Sequence, residues 1–252
     1  AILFTAKLVG ITKVFKIGGV QAIGAMAYGT ETVPKVYKIF GPGNQYVTCA
    51  KQLTNKEGIA IDMPAGPSEV CVYADATAVP AYVAADLLSQ AEHGVDSQVL
   101  LVCTSHFDST TLQNELEKQI QQLPRAAIAK QVLANSTIAI IDDEITAVNF
   151  INEYSPEHLI LSCKNANELV DKIENAGSIF LGNYSPESVG DYASGTNHTL
   201  PTNGFAKQYS GVSIDSFIKR ITVQELTKKG LENIATTVTT MAEAEQLQAH
   251  SN

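Results

Sequence analysis

Gln90 and His93 stand three residues apart at the end of the run Leu87-Leu88-Ser89-Gln90-Ala91-Glu92-His93-Gly94. On a helix that spacing sets a carboxamide oxygen and an imidazole nitrogen one turn apart on one face, where both can reach a single metal ion. A histidine facing the helix dipole, with a local hydrogen bond, satisfies the same pattern. The other histidines are His106, His158, His198 and His250. His106 follows Thr104-Ser105 and reads as a surface residue, whereas Glu157 adjoins His158, Asp191 precedes His198 and Glu245 precedes His250. Such groups can supply the nitrogen and oxygen ligands of a catalytic zinc and the acids and bases of proton transfer. Taken pair by pair, the residues alone favour hydrogen-bonded or solvated polar groups over a site. Cys49, Cys71, Cys103 and Cys163 form no Cys-x-x-Cys pair, and the last three fall in or beside apolar runs. Inert, buried thiols are expected there, so any metal must rely on His, Asp, Glu or Gln.

The elements that must position these residues follow from periodicity. Val83, Leu87 and Leu88 recur at helical spacing from Pro80, with Gly94 as the stop. Residues 1–9 read as helix without a cap or an initiator methionine, so the sequence is expected to begin inside a larger protein. Residues 11–17 read as a strand and 20–28 as a helix; Gly41-Pro42-Gly43-Asn44 is a turn opening a helix through Gln52. That turn resembles a nucleotide-binding one but lacks the third glycine, since Tyr46 occupies its place, and a purely structural turn fits as well. Residues 59–62 form a short strand, and 63–69 are too rich in Pro and Gly to be regular.

From Val70 onward strands and helices alternate. Residues 70–73, 98–103, 137–141, 158–161 and 178–181 are continuous apolar runs of buried-strand type. This rhythm predicts an α/β fold with a largely parallel sheet, and ligands beyond the carboxyl ends of its strands. Residues 182–204 form a polar segment longer than a connector needs to be. Past Ser213 a short strand near Ile221 and a helix from Val223 or Leu226 to about Gln248 are expected. Leu231, Ile234, Val238, Met241 and Leu247 give that helix one apolar face.

The chain has 252 residues, enough for one large domain or two smaller ones. A net charge of -9 with no Lys/Arg cluster argues against a nucleic-acid partner. No apolar run reaches the length of a membrane span and no signal peptide is visible, so no membrane partner and a cytoplasmic address are expected.

Four strings are long and specific. They are Ile61-Asp62-Met63-Pro64-Ala65-Gly66-Pro67-Ser68-Glu69-Val70, Ser89-Gln90-Ala91-Glu92-His93-Gly94, Tyr154-Ser155-Pro156-Glu157-His158-Leu159, and Gly190-Asp191-Tyr192-Ala193-Ser194-Gly195-Thr196-Asn197-His198. With the ending Ala244-Glu245-Gln246-Leu247-Gln248-Ala249-His250, they closely resemble the histidinol dehydrogenase family, in order from the first residue to the last. The resemblance implies oxidation of L-histidinol to L-histidine through a bound aldehyde, with two NAD reduced and one Zn2+ per subunit. It implies Gln90, His93, Asp191 and His250 as zinc ligands, and Glu157 and His158 as the acid–base pair. Ser68, Gln90, His93, His158, Asp191, His198, Glu245 and His250 match substrate-binding positions; Gln21 and Asn44 match positions that touch NAD. Adjacent residues at a strand edge face opposite ways, so a local irregularity must turn Glu157 or His158 if both are to face one substrate.

The resemblance further implies incomplete Rossmann-like halves. Residues 1–69 would be the remainder of one NAD-binding half and 70–212 the second half, with zinc and the catalytic residues. Residues 213–252 would be a helical tail exchanged within a homodimer, where Glu245 and His250 complete the partner's site. Relative to the family pattern, the N-terminal portion and the extreme C-terminus are missing. The alternative is therefore a truncated, non-catalytic α/β fragment that binds zinc and substrate. A short-chain or aldehyde dehydrogenase is disfavoured, since neither a complete glycine fingerprint nor a cysteine in a nucleophile motif is present.

Overall fold

The computed structural model describes residues 1–252. The chain divides into two units, residues 1–216 and 217–252. The first unit carries α1 (Ile2–Leu8), α2 (Gly19–Tyr28), β1 (Lys38–Ile39), α3 (Gln45–Lys56), β2 (Ala60–Ile61), β3 (Glu69–Ala74), α4 (Pro80–Ala91) and β4 (Gln98–Cys103). It continues through α5 (Ser109–Ile120), α6 (Ala126–Ala134), β5 (Thr137–Ile140), α7 (Glu144–Tyr154), β6 (His158–Ser162), α8 (Ala166–Leu169), β7 (Ser178–Leu181) and α9 (Glu187–Tyr192). The second unit holds α10 (Lys228–Ala244) and α11 (Gln248–Ser251).

The fold is α/β. Strands β3 to β7 form one sheet in the order β5-β4-β3-β6-β7, parallel throughout, because a helix carries the chain back between successive strands. Alternation along β3 builds a core on each face. Val70 and Val72 pack with Leu87, Leu112 and Val132 under α4, α5 and α6. Cys71 and Tyr73 pack with Leu159, Ile151 and Leu169 under α7 and α8. A smaller core of Ile23, Ala27, Ile39, Ala50 and Ile59 joins α2 and α3 to the two-stranded parallel sheet β1-β2.

Several expectations are corrected. Residues 11–17 form no strand: Ile11, Val14, Phe15 and Ile17 are exposed and join no strand ladder, and an apolar run without a partner strand does not make a sheet. No strand forms near Ile221 either. The run 137–141 is an edge strand with Ile138 and Ile140 exposed, so it is not of the buried type. Helix α9 interrupts the polar segment 182–204. The tail helix ends at Ala244; Gln246, at φ 60, turns the chain before α11. Strand β1, two residues long, carries no periodic signal.

Candidate functional site

Helix α4 begins with Pro80 at its first turn and buries Val83, Ala84, Leu87, Leu88 and Ala91. The same packing buries Gln90 completely. The helix closes in a tight turn, with His93 N–H donating to the Gln90 carbonyl at 3.2 Å. His93 thus lies just past the last helical residue, yet its Nδ1 stands 3.4 Å from Gln90 Nε2. The three-residue spacing does bring these two side chains together.

Glu157 and His158 enter from α7. Ser155 adopts a left-handed conformation at φ 56 and its hydroxyl donates to the Asn152 carbonyl, which redirects the chain into β6. Glu157 therefore precedes the ladder, and His158 begins it in register with Val70. Both side chains converge on Glu69. Glu157 Oε2 accepts the Glu69 N–H at 2.8 Å, and His158 Nδ1 stands 3.1 Å from the Glu69 carbonyl oxygen. A carbonyl only accepts, so Nδ1 carries the proton and Nε2 keeps its lone pair. Gly177 lets β7 approach: a Cβ there would sit 2.5 Å from the Glu157 carbonyl oxygen.

Asp191, on α9, places Oδ1 3.8 Å from His158 Nε2. Glu187, one turn earlier, places Oε1 3.7 Å from His158 Nδ1. Gly190 is needed beneath them, since a Cβ would lie 2.5 Å from the Phe180 ring. His93 and His198 both lie within electrostatic reach of His158, although His198 is exposed on the loop beyond α9. That loop is tied back by Thr202 Oγ1, which accepts the Gly66 N–H at 2.8 Å, and by Glu69 Oε1, which accepts the Asn203 N–H at 2.8 Å.

These groups gather at the amino ends of β3 and β6, not beyond the carboxyl ends as the parallel topology predicts. The reason is local: the residues come from the turns and helix ends that feed β3, β4 and β6, and α9 folds back to meet them.

Burial governs the electrostatics. It pushes Glu157 up to about 9, with the neighbouring charges of Glu69, Glu187 and Asp191 adding to the rise. Burial likewise pushes Glu187 up to about 8, and Glu69 and Asp86 up to about 7. It lowers His158 below the ordinary imidazole value, so the ring is neutral at pH 7. Its short distances to Glu157, Glu187 and Asp191 are accordingly not ion pairs. Gln90 Oε1, His158 Nε2, Glu69 Oε2 and Glu187 Oε2 are buried without a hydrogen-bond partner. Burial raises the thiols of Cys71, Cys103 and Cys163, consistent with inert cysteines.

The donor set suits zinc in type. Gln90 Oε1 is an unsatisfied buried oxygen one turn from an imidazole, and Asp191 adds a carboxylate. No three His, Cys, Asp or Glu side chains come together tightly enough to hold a metal by themselves. His250, on α11, and Glu245, at the end of α10, belong to the second unit and are exposed.

A cleft of about 550 Å³ is lined by Asn44, Ser68, His93, Asp96 and Arg125 among others. Asn44 caps α3: its Oδ1 accepts the N–H groups of Tyr46 and Val47, each at 3.1 Å. Gln21 lies exposed on the first turn of α2 and does not line this cleft. Behind the turn, the buried Lys51 ammonium pairs with Asp62 Oδ1 and donates to the Gly41 and Met63 carbonyls, at 2.7 and 3.1 Å. Asp62 in turn accepts the N–H groups of Gly41 and Met63, both at 2.7 Å.

Glu69, Asp86, Glu187, Lys51 and Arg125 were given no role by the sequence. A carboxylate directly before an apolar strand, as in Ser68-Glu69-Val70, was the available signal for the first. Nothing comparable marks the others.

The histidinol dehydrogenase family model matches residues 1–252. A histidinol dehydrogenase of Bacteroides fragilis is 60% identical over the whole chain, which spans 59% of that relative's length. The chloroplastic histidinol dehydrogenase of Arabidopsis thaliana is 57% identical over 99% of the chain and 54% of its own length. The crystal structure of histidinol dehydrogenase from Elizabethkingia anophelis superposes with a TM-score of 0.95 at 60% identity, covering 99% of this chain and 58% of that one. A gamma-glutamyl phosphate reductase from Thermotoga maritima shares only the fold, with a TM-score of 0.50 and 10% identity. The chain thus spans about three-fifths of the relatives it matches, and no helix is long and apolar enough to cross a membrane. With the family's model matched from the first residue to the last and a 60% identical crystal structure superposing on the same fold, the chain belongs to the histidinol dehydrogenase family.

Proposed function

We propose that the chain forms part of an enzyme that oxidises L-histidinol to L-histidine through bound L-histidinaldehyde, with two NAD reduced, in histidine biosynthesis. His158 carries the reading. Its Nδ1–H is committed to the Glu69 carbonyl, and its buried Nε2 is left unpaired beside Asp191. A neutral imidazole held this way offers its lone pair to a carbinol hydroxyl.

In the first oxidation Nε2 takes the hydroxyl proton while the carbinol C–H bond breaks, its electron pair leaving as hydride. NAD, when bound, would supply the hydride acceptor. His158 then passes its proton to solvent. Glu157 takes a proton from the water that adds to the aldehyde carbon. Its carboxyl holds a proton at neutral pH in the substrate-free protein and ionises as positive charge arrives with the substrate ammonium. The resulting diol gives a second hydride and returns a proton to His158.

Gln90, His93 and Asp191 would hold zinc, with His250 as the fourth ligand. Zinc, when bound, supplies positive charge and orients the substrate's imidazole and amino nitrogens. Ser68, His198 and Glu245 address the carbinol and amino groups. Gln21 and Asn44 hold NAD; capping occupies Asn44 Oδ1 and leaves its amide N–H groups for the ligand. In this reading residues 1–69 are the remainder of the NAD-binding half, residues 70–212 the half with the chemistry, and residues 213–252 a tail exchanged within a homodimer. Exposure of Leu231, Ile234, Val238 and Met241 along α10, between 42% and 61%, supports a covered tail.

Zinc content and calorimetric L-histidinol binding, measured on the chain beside His93→Ala, Asp191→Asn and His158→Gln, test this. About one zinc per chain with histidinol bound is expected, both lost in the first two variants. His158→Gln keeps zinc and lowers histidinol-dependent NADH formation by about 10²–10⁴-fold. Binding without NADH formation by the unaltered chain assigns it the narrower role of holding zinc and substrate. Normal binding by His93→Ala and Asp191→Asn overturns the ligand assignment.

A further inference from the structure

We propose that Arg125 is an anion-binding residue that grips a phosphate of the dinucleotide; this rests on the reading of the cleft as the place where NAD meets the substrate site. The cleft of about 550 Å³ has walls of different chemistry. Gly43 and Asn44 bring the start of α3 to one side, Ser68 and His93 bring the substrate-binding side to another, and Arg125 enters from the start of α6. Histidinol alone is too small to fill a space of this size, which falls in the range of cofactor sites.

Arg125 is the one lysine or arginine lining the cleft. Its guanidinium makes no hydrogen bond, ion pair or ring contact, and Asp96, on the same cleft, lies beyond ion-pairing distance. Arg125 is exposed, and its guanidinium has no carboxylate partner although the chain carries 26 acidic residues against 17 basic ones. This guanidinium is a good match for a phosphate, whose oxygens accept the planar fork bidentately. Histidinol is itself a cation and offers no anionic group, whereas the dinucleotide carries two linked phosphates. Arg125 also separates two ligands that share a cleft: it can discriminate the dinucleotide while leaving histidinol untouched.

The test uses the whole chain, with NADH binding followed by fluorescence and with L-histidinol and L-histidine binding followed by calorimetry. Arg125→Gln is expected to weaken NADH by about tenfold or more, and Arg125→Lys by less, because the lysine keeps charge but not the fork. Histidinol and histidine affinities stay within about twofold. ADP, which presents the phosphates without nicotinamide, loses affinity in parallel with NADH. Unchanged NADH binding in Arg125→Gln overturns the assignment. So does an equal loss of histidinol, which marks a structural role, or a loss of histidine alone, which marks a product-carboxylate contact. An unaltered chain that binds no NADH defeats the reading of the cleft itself, and the assignment with it.

Discussion

Lys51→Met is the sharpest probe of the turn that presents Asn44. The Lys51 and Asp62 side chains are 1% and 0% exposed, so water cannot replace the ammonium once it is removed. The Asp62 carboxylate would keep the Gly41 and Met63 N–H groups but lose its cation, and the Gly41 and Met63 carbonyls would lose a donor. Stranding one partner of a buried pair costs about 3–5 kcal/mol, a factor of roughly 10² to several thousand in the folding constant. Asp62→Leu alone strands the ammonium and costs a similar amount. The double variant removes both charges and leaves two amide donors unmet, at about 1–3 kcal/mol each. Urea denaturation of the four proteins of this cycle measures the coupling. The double variant should be more stable than the sum of the single losses predicts, by about 2 kcal/mol or more. Losses that add within about 0.5 kcal/mol would mean that the pair does not act as a unit, and would refute the bracing assigned to it.

Two further outcomes follow from the buried carboxyls and the close strand approach. Glu69, Asp86, Glu187 and Glu157 all have folded-state pKa values raised above their ordinary ones. Their contribution is therefore fully present below the unfolded values, 3.8 for Asp86 and 4.5 for the glutamates, and is lost as pH rises through about 7 to about 9, at up to about 1.4 kcal/mol per pH unit for each group titrating. The urea midpoint of the chelator-treated chain should fall from pH 5 to pH 9, less steeply in Glu187→Gln; a rising midpoint would contradict this. Gly177→Ala should cost about 1–3 kcal/mol by forcing β7 off the Glu157 carbonyl, and Gly94→Ala, with open space around it, should not; equal thermal midpoints for the two would sink the packing argument.

How legible the chain was depended on what each signal measures. Strands β3, β4 and β6 were readable because burial on both faces writes a continuous apolar run. Residues 11–17 carry a similar run and form no strand, since hydrophobicity reports a wish to be covered and not the presence of a pairing partner. The Gln90–His93 contact was readable because helix geometry alone sets it. The grouping of Glu69, Glu157 and Glu187 around His158 was not, because it depends on the β3–β6 register, which joins residues 89 apart, and on α9 folding back onto the start of β6, contacts that no local pattern encodes. The carboxyl-end expectation failed for the same reason: topology fixes strand direction, while turns and helix ends decide which edge collects the polar groups.

The acceptor that fixes the His158 tautomer is a main-chain oxygen. No substitution at position 69 can delete it, so the orientation of this imidazole is insulated from side-chain drift in a way that a carboxylate-held histidine is not. The vulnerability moves elsewhere, to the register of two neighbouring strands at the centre of the sheet. A change that lets β6 slide against β3 would surrender the proton-transfer geometry and the middle of the fold together, so selection for one conserves the other.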